Sequence, residues 1–198
     1  PNFDWIGFID IDEFIVLNES FSNISSFLSL PVFDGFDYIK LNWRTFTDSG
    51  KIVVENEDYG CLNRFKEYVD NPKSPWSRRC KGIYKTSNDQ VKKFLNVHCA
   101  YSDDLVSCND VGEKVNRNGT MTEYSSYVNC WINHYPCKTL EEYVNNQLKK
   151  HNTQSRPGDS GYEFYIKDRL TNFGDFWEIN DKTPEKMEYI EKNFKNEI

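Results

Sequence analysis

The spacing of hydrophobic residues predicts β-strands up to about residue 135 and α-helices after it. Short apolar runs bounded by turn residues are typical of strands. The first run, WIGFI at residues 5–9, predicts a buried strand close to the start of the chain. The other runs with strand composition lie at residues 36–46, 81–86, 94–101 and 127–135.

Helices are predicted where capping residues precede a helical spacing of apolar side chains. Thr139 and Glu142 have the spacing of a capping box, and Thr183 is a second candidate cap. For the first helix, the candidate cap is Ser22 or Asn23. Two polar stretches, residues 70–79 and 103–122, predict an exposed loop and a loop or hairpin. The predicted helices lie at residues 23–30, 62–68, 140–148, 161–170 and 184–196.

These elements indicate one α/β fold, with a mixed sheet and a helical C-terminal tail. We expect residues 1–150 to form the main part and residues 151–198 a helical extension. The 198 residues are 38% hydrophobic and 16% aromatic, which is enough for a packed core.

Charge and hydropathy exclude two classes of protein. The chain has 24 basic and 31 acidic residues and a net charge of -7, which argues against a general nucleic-acid binder. No apolar run approaches the ~18 residues that would predict a membrane span. No secretory leader is visible. We therefore expect a cytoplasmic protein, with peripheral association at the inner membrane left open.

The cysteine pattern gives little support for a structural zinc site, because no two cysteines form a C-x-x-C pair. Three disulfides are compatible with the even count. We favour reduced, buried thiols, since a chain of this length does not need disulfides for stability. The six cysteines are Cys61, Cys80, Cys99, Cys108, Cys130 and Cys137.

The most informative segment is FIDIDEF at residues 8–14. If the preceding strand continues through it, Asp10 and Asp12 point to the same side. Two adjacent carboxylates repel each other, and a divalent cation offsets that repulsion. Oxygen ligands with open coordination positions suit Mg²⁺ or Mn²⁺. The alternative is a pair of solvated acids where a strand meets a loop.

Four further residues are candidates for the same site. His98 and His134 each end a strand-like run, and Mn²⁺ accepts an imidazole beside carboxylates. The alternative for each is a buried, hydrogen-bonded histidine. Lys81 and Lys85 would share one face of a strand and could neutralise a diphosphate, or they could protect a sheet edge from aggregation. Platforms for stacking a sugar ring are offered by Trp43, Arg44, Trp76 and Trp131. The alternative is that most of these residues simply belong to the core, because the chain is rich in aromatic residues.

The segment WIGFIDIDEF resembles the metal-binding Asp-x-Asp segment of GT-A glycosyltransferases, above all the bacterial polysaccharide and lipopolysaccharide transferases related to families 2 and 92. Further matching segments follow in the order that those enzymes show. They are LNWRTF at 41–46 with DSG at 48–50, KGIYKT at 81–86, VHC at 97–99, and NHY at 133–135 followed by KTLEE at 138–142.

The resemblance implies transfer of a sugar from a nucleotide-diphosphate sugar to a hydroxyl group of a glycan or lipid-linked glycan acceptor. Asp10 and Asp12 would hold Mn²⁺ or Mg²⁺ against the diphosphate, and His134 or His98 would complete the metal shell. The cation would act as a Lewis acid on the departing nucleotide diphosphate. An inverting enzyme also needs a carboxylate base, for which Asp48 is the first candidate. Glu57 and Asp58 are the reserve candidates for this base.

Such enzymes carry a nucleotide-binding half before the Asp-x-Asp, whereas nine residues precede Asp10 here. The chain therefore resembles the C-terminal part of a GT-A domain. Two other functions remain open. A haloacid-dehalogenase-like phosphatase also begins with a strand and Asp-x-Asp, with Lys85 as its lysine, but Glu13 and Phe14 replace the expected small residues. A non-catalytic glycan-binding remnant is the second.

Overall fold

The computed structural model describes residues 3–55, 60–89, 98, 104–115, 119–154 and 168–195, and for residues 151–154 it describes the backbone. The contacts divide the chain into two compact units. The first unit comprises Pro1–Thr45 and Val69–His134, and the second comprises Phe46–Tyr68 and Tyr135–Ile198. The helix Leu140–Gln154 crosses the predicted boundary at residue 150, and the predicted division into a main part and a helical extension stays a prediction.

The first unit is built on a mixed sheet, in which the described residues form seven strands. Strands β3 and β5 are parallel, as are β3 and β7, and the other pairs are antiparallel. This confirms the predicted α/β class with a mixed sheet. The strands are β1 (Trp5–Gly7), β2 (Glu13–Leu17), β3 (Tyr38–Thr45), β4 (Cys80–Lys85), β5 (Ser107–Cys108), β6 (Lys114–Val115) and β7 (Cys130–His134).

Strand β3 is the centre of the sheet and is buried along almost its whole length. Its first five residues pair with β4, and its last three pair with β7. Because β7 also pairs with β2, the site-bearing segment 8–14 is linked to β3 through β7. Ile39, Leu41 and Trp43 contribute to the core from one face of β3.

The prediction of a buried strand at residues 5–9 is wrong in two respects. The strand ends at Gly7, and β1 lies at the edge of the sheet with β4 as its neighbour among the described strands. Ile6, Phe8 and Ile9 are each more than a third exposed. An apolar run shows that a strand can be buried. Whether it is buried depends on the position of the strand in the sheet.

Short helices of the first unit follow local capping signals. Helix α1 (Ile24–Leu28) is capped by Asn23, whose side chain accepts a hydrogen bond from the Ser26 amide, as the sequence predicts. The prediction of an exposed loop at 70–79 is wrong in part. Residues Pro75–Arg78 form helix α3, which buries Trp76, with Pro75 at its first position.

The second unit is helical in its described parts. Its core includes Leu140, Tyr143, Phe176 and Ile190. The predicted strand 94–101 and most of the predicted helix 161–170 lie outside the described residues. The helices of this unit are α2 (Gly60–Arg64), α4 (Leu140–Gln154), α5 (Gly174–Ile179) and α6 (Pro184–Phe194).

Two caps in the second unit confirm the sequence analysis. Thr139 Oγ1 accepts from the Glu142 amide at 3.1 Å, while Glu142 Oε2 accepts from the Thr139 amide at 3.2 Å. Thr183 Oγ1 accepts from the Lys186 amide at 3.4 Å. Each cap satisfies helix amides that would otherwise lack a partner.

The five described cysteines are free thiols, which agrees with the predicted reduced state. Cys108 and Cys130 are fully buried, and their burial raises the pKa of each thiol to about 12. Neutral thiols of this kind pack as small apolar groups and do not act as nucleophiles.

Gly82 in β4 leaves room for an aromatic pair. A Cβ at this position would overlap Cζ and Oη of Tyr84, whose ring stacks on Tyr38 with centroids 5.2 Å apart. We therefore expect Gly82→Ala to lower the free energy of unfolding by about 1–3 kcal/mol. In the control Gly7→Ala, the nearest atom lies at 3.4 Å and the change should stay within about 0.5 kcal/mol. Equal effects in urea denaturation would contradict this explanation.

Candidate active site

The Asp-x-Asp segment forms a tight turn between β1 and β2. The Glu13 amide donates to the Asp10 carbonyl at 3.0 Å, and Glu13 Oε2 accepts from the Asp10 amide at 3.1 Å. The two bonds close the turn from both ends. The prediction that Asp10 and Asp12 continue a strand is therefore wrong, because β1 ends at Gly7 and β2 starts at Glu13.

Lys81 joins the two ends of this turn. Its Nζ lies 2.8 Å from Asp10 Oδ2 and 3.4 Å from Glu13 Oε2. The Lys81 and Glu13 side chains are 1% and 0% exposed, whereas the Asp10 side chain is 55% exposed. A buried ion pair thus supports a carboxylate that reaches solvent.

The two acids of this network differ in their electrostatics. The hydrogen bond from Lys81 lowers the pKa of Asp10 below its ordinary value, so Asp10 is ionised at neutral pH. Burial raises the pKa of Glu13, against the opposing effects of the Asp10 amide and Lys81. Asp12 is half-buried and has no hydrogen-bond or ion-pair partner among the residues that the structure describes.

His134 lies beside the same turn, because it pairs with Glu13 across the β2–β7 ladder. It is 8% exposed, and its ring centroid lies 4.1 Å from that of Trp43. Nδ1 of His134 and Oε1 of Glu13 have no hydrogen-bond partner in the described part of the chain. Buried polar atoms without a partner call for an explanation, and a ligand, water or ion is one.

His98 lies next to β4, where its carbonyl accepts from the Gly82 amide at 3.1 Å. Its side chain is exposed, and together with His134 it contributes to the lowered pKa of Asp10. Both imidazoles influence the pKa of Asp10, and a metal site shared by Asp10, His98 and His134 stays a prediction.

The burial of His134 has a consequence for acid stability. Burial lowers its pKa to about 3, against about 6.5 in an unfolded chain. Below about pH 6.5 the unfolded state therefore binds a proton that the folded state refuses. Stability should fall with decreasing pH by up to about 1.4 kcal/mol per pH unit from this group alone.

This expectation can be checked by urea denaturation between pH 7 and pH 4 in the presence of a chelator. His134→Gln should have a shallower acid loss than the parent protein. The control His98→Gln changes an exposed histidine and should alter the slope much less. Identical slopes for the parent protein and His134→Gln would contradict a neutral, buried His134.

Trp43 and Arg44, two other predicted binding residues, differ in their position relative to this cluster. Trp43 and Arg44 are neighbours on β3 and therefore face opposite sides of the sheet. Arg44 stacks against Tyr127 and Trp131, with its Cζ 4.9 and 4.5 Å from their ring centroids. Trp43 is the one that reaches His134. A role for either residue in sugar binding stays a prediction.

Lys85 has different partners from Lys81 although the two share a strand. Its Nζ donates to the Phe33 carbonyl at 2.9 Å and lies 5.2 Å from the Trp5 ring. Its predicted role toward a diphosphate, or toward a phosphate in the phosphatase alternative, therefore has no support from these contacts.

Asp48, the predicted base, lies in the second unit. It is 3% exposed, and its Oδ2 lies 2.5 Å from Nζ of Lys186. Its Oδ1 accepts from the Gly50 amide at 2.9 Å. The residue also lines a polar cavity of about 460 Å³. The reserve candidates Glu57 and Asp58 lie outside the described residues, and the base assignment stays a prediction.

The candidate metal donors at this turn are two carboxylates and one imidazole nitrogen. Within the described ranges, no group of three or more metal-ligating side chains is present. Mg²⁺ commonly takes only one or two protein carboxylates and completes its shell with substrate phosphates and water. Asp10, ionised and exposed, and Asp12, without a described partner, fit that pattern. Nδ1 of His134 adds a neutral nitrogen that Mn²⁺ accepts.

Glu13 is the site residue that the sequence analysis missed. The sequence analysis treated Glu13 only as a difference from haloacid-dehalogenase-like phosphatases, which have a small residue directly after Asp-x-Asp. The spacing from Asp10 was the available signal. A carboxylate three residues after the start of a turn can accept a hydrogen bond from the amide at that start.

A mixed α/β sheet with an Asp-x-Asp turn beside its strands is consistent with a GT-A-like glycosyltransferase domain. The comparison with protein families agrees: the chain belongs to glycosyltransferase family 92, whose model matches residues 1–195. No curated protein and no solved structure matches the chain. The resemblance to family 2 and the expected lack of an N-terminal part are not confirmed.

Among the described helices, none has both the length and the apolar character that crossing a bilayer requires. The predicted compartment and any peripheral membrane association stay predictions.

Proposed function

We propose that this chain carries the metal- and donor-diphosphate-binding site of a glycosyltransferase that uses a nucleotide-diphosphate sugar. The acceptor would be a hydroxyl group of a glycan or of a lipid-linked glycan. Family membership supports the transferase, and the Asp10–Glu13 turn supports the site within it.

One observation carries the proposal: Asp10 is exposed and ionised, yet its carboxylate is fixed by buried Lys81. A carboxylate must be deprotonated to hold a cation, and Asp10 meets that condition at neutral pH. Asp12, two residues away in the same turn, would supply the second oxygen donor. Mn²⁺ or Mg²⁺ bound there would neutralise charge on the diphosphate leaving group.

The other residues of the cluster would shape the site around these donors. His134 is neutral at physiological pH because of its burial, so its ring can offer a lone pair to a cation. Trp43 packs against that ring and excludes water from one side of it. The proposal therefore assigns Trp43 an orienting role in place of sugar stacking.

Calorimetry with uridine and guanosine diphosphates tests the proposal directly. We expect one of the two to bind in the presence of Mn²⁺ and to bind much more weakly with a chelator. A nucleotide that binds equally well in both conditions would remove the metal from the proposal. The test should be made on the full-length protein.

The phosphatase alternative predicts a different outcome. It requires an aspartyl-phosphate on Asp10, whereas the family match supports a transferase, in which Asp10 would hold a cation. Acid-quenched protein after incubation with a phosphate ester should therefore carry no phosphate on Asp10. Trapping of such an adduct would favour the phosphatase over the transferase.

A further inference from the structure

Lys81 and Glu13 form a buried ion pair. Packing of the strands does not by itself require an ion pair at this position. Two well-packed apolar side chains often stabilise a core as well as a buried ion pair does. Apolar residues on β2 and β4 could therefore hold the strands together. They could not hold the carboxylate of Asp10, which accepts from Lys81 at 2.8 Å.

We propose that Lys81 is a positioning residue, which together with Glu13 fixes the Asp10–Glu13 turn, and that it is not a cation for the donor diphosphate. The part of this proposal in which Asp10 binds a cation rests on the proposed function. The part in which Lys81 and Glu13 fix the turn does not depend on the proposed function.

The rigidity of Lys81 comes from its strand. Lys81 lies in the interior of β4 and pairs with Leu41 of β3, the most buried strand of the described sheet. The next residue, Gly82, donates to the carbonyl of His98. Groups carried on such strands are held more precisely than groups on loops.

Glu13 connects Lys81 to the turn. Its Oε2 accepts from the Asp10 amide at 3.1 Å and lies 3.4 Å from Lys81 Nζ. Its own amide donates to the Asp10 carbonyl. The backbone and the side chain of Asp10 are thus both anchored to the same ion pair.

The burial of Lys81 argues against direct contact with substrate. Its side chain is 1% exposed, and two carboxylates already lie around its ammonium group. A diphosphate could reach Nζ only by displacing Asp10, the residue expected to bind the cation. Lys81 therefore acts on the substrate through Asp10.

The decisive variant is the double substitution Lys81→Met with Glu13→Leu. It removes one positive and one negative buried charge, and the carboxylate of Asp10, which loses its ion partner, is 55% exposed to solvent, so the fold should persist. Lys81→Arg keeps the charge and the donors. Lys114→Met, at an exposed lysine of β6, is the matched control.

The first measurement is amide hydrogen exchange of Glu13 in metal-free protein, because the Glu13 amide keeps its acceptor, the Asp10 carbonyl, whereas the Asp10 amide loses its acceptor directly when Glu13 is replaced. We expect at least a tenfold faster exchange in the double variant, partial or full rescue in Lys81→Arg, and no change in Lys114→Met. Unchanged exchange in a folded double variant would overturn the positioning role, whether or not the protein binds metal.

The second measurement is Mn²⁺ affinity by electron paramagnetic resonance, with and without nucleotide diphosphate. A loss of about tenfold in the double variant is expected, in the range found for residues that orient metal ligands. Intact Mn²⁺ affinity with weakened diphosphate affinity would make Lys81 a substrate cation and overturn the proposal. Absence of Mn²⁺ binding in the parent protein would instead refute the proposed function, leaving the exchange measurement to decide the positioning role.

Discussion

Replacing Asp12 by Asn should reduce sugar transfer by the full-length protein by roughly 100- to 1,000-fold. A cation that neutralises a leaving diphosphate contributes several kcal/mol to the transition state, and each ~1.4 kcal/mol corresponds to a tenfold change in rate. Asp12 has no partner among the described residues, so the substitution should leave the thermal midpoint nearly unchanged. The rate should be measured at saturating and at limiting Mn²⁺.

The matched control is Asp34→Asn, which removes the same charge from an exposed position of the same unit. It should transfer sugar at the parent rate. If Asp12→Asn retained more than a third of the parent activity, the Asp-x-Asp would not be the metal site. If glycan binding persisted in a protein that never transfers sugar, the chain would be a binding module.

Local signals in this sequence predicted local structure well. The caps at Asn23, Thr139 and Thr183 each depend on residues at most three positions away, and all three are present in the structure. Such caps form because an oxygen within reach satisfies amides at the start of the helix. The rest of the chain need not be known for that.

Features that depend on contacts between residues far apart in the sequence were predicted less well. The apolar residues Ile9, Ile11 and Phe14 predict a strand where the structure has a turn. Ile11 lies in that turn and is 97% exposed, which its apolar side chain does not indicate. Lys81 lies 71 positions from Asp10, and no pattern in either segment predicts their contact. Burial at a sheet edge depends likewise on the neighbouring strands.

The same limit applies to Asp48. Its place in a loop just after a strand that matches the family pattern made it the first candidate for the base. Lys186, which neutralises it, is 138 positions further on (186 minus 48). A carboxylate that is 3% exposed and forms a buried ion pair with Lys186 fits a structural role better than proton transfer.

Lys186→Met should therefore destabilise the protein by about 3 kcal/mol or more. The Lys186 ammonium lies 2.5 Å from Asp48 Oδ2 and donates to the Asp181 carbonyl at 3.0 Å. Removing one partner of a buried ion pair costs about 3–5 kcal/mol, because the other charge stays buried without compensation. Lys192→Met, at an exposed position of the same helix, should change stability by less than about 0.5 kcal/mol.

The double variant Lys186→Met with Asp48→Asn separates the structural role of Asp48 from a catalytic one. Because it leaves no uncompensated charge, it should recover most of the stability that Lys186→Met loses. If Asp48 is structural, the folded double variant should also transfer sugar at near the parent rate. A folded double variant that has lost transfer, with Mn²⁺ and nucleotide affinity intact, would restore Asp48 as the base, since only the proton-accepting step would then be missing.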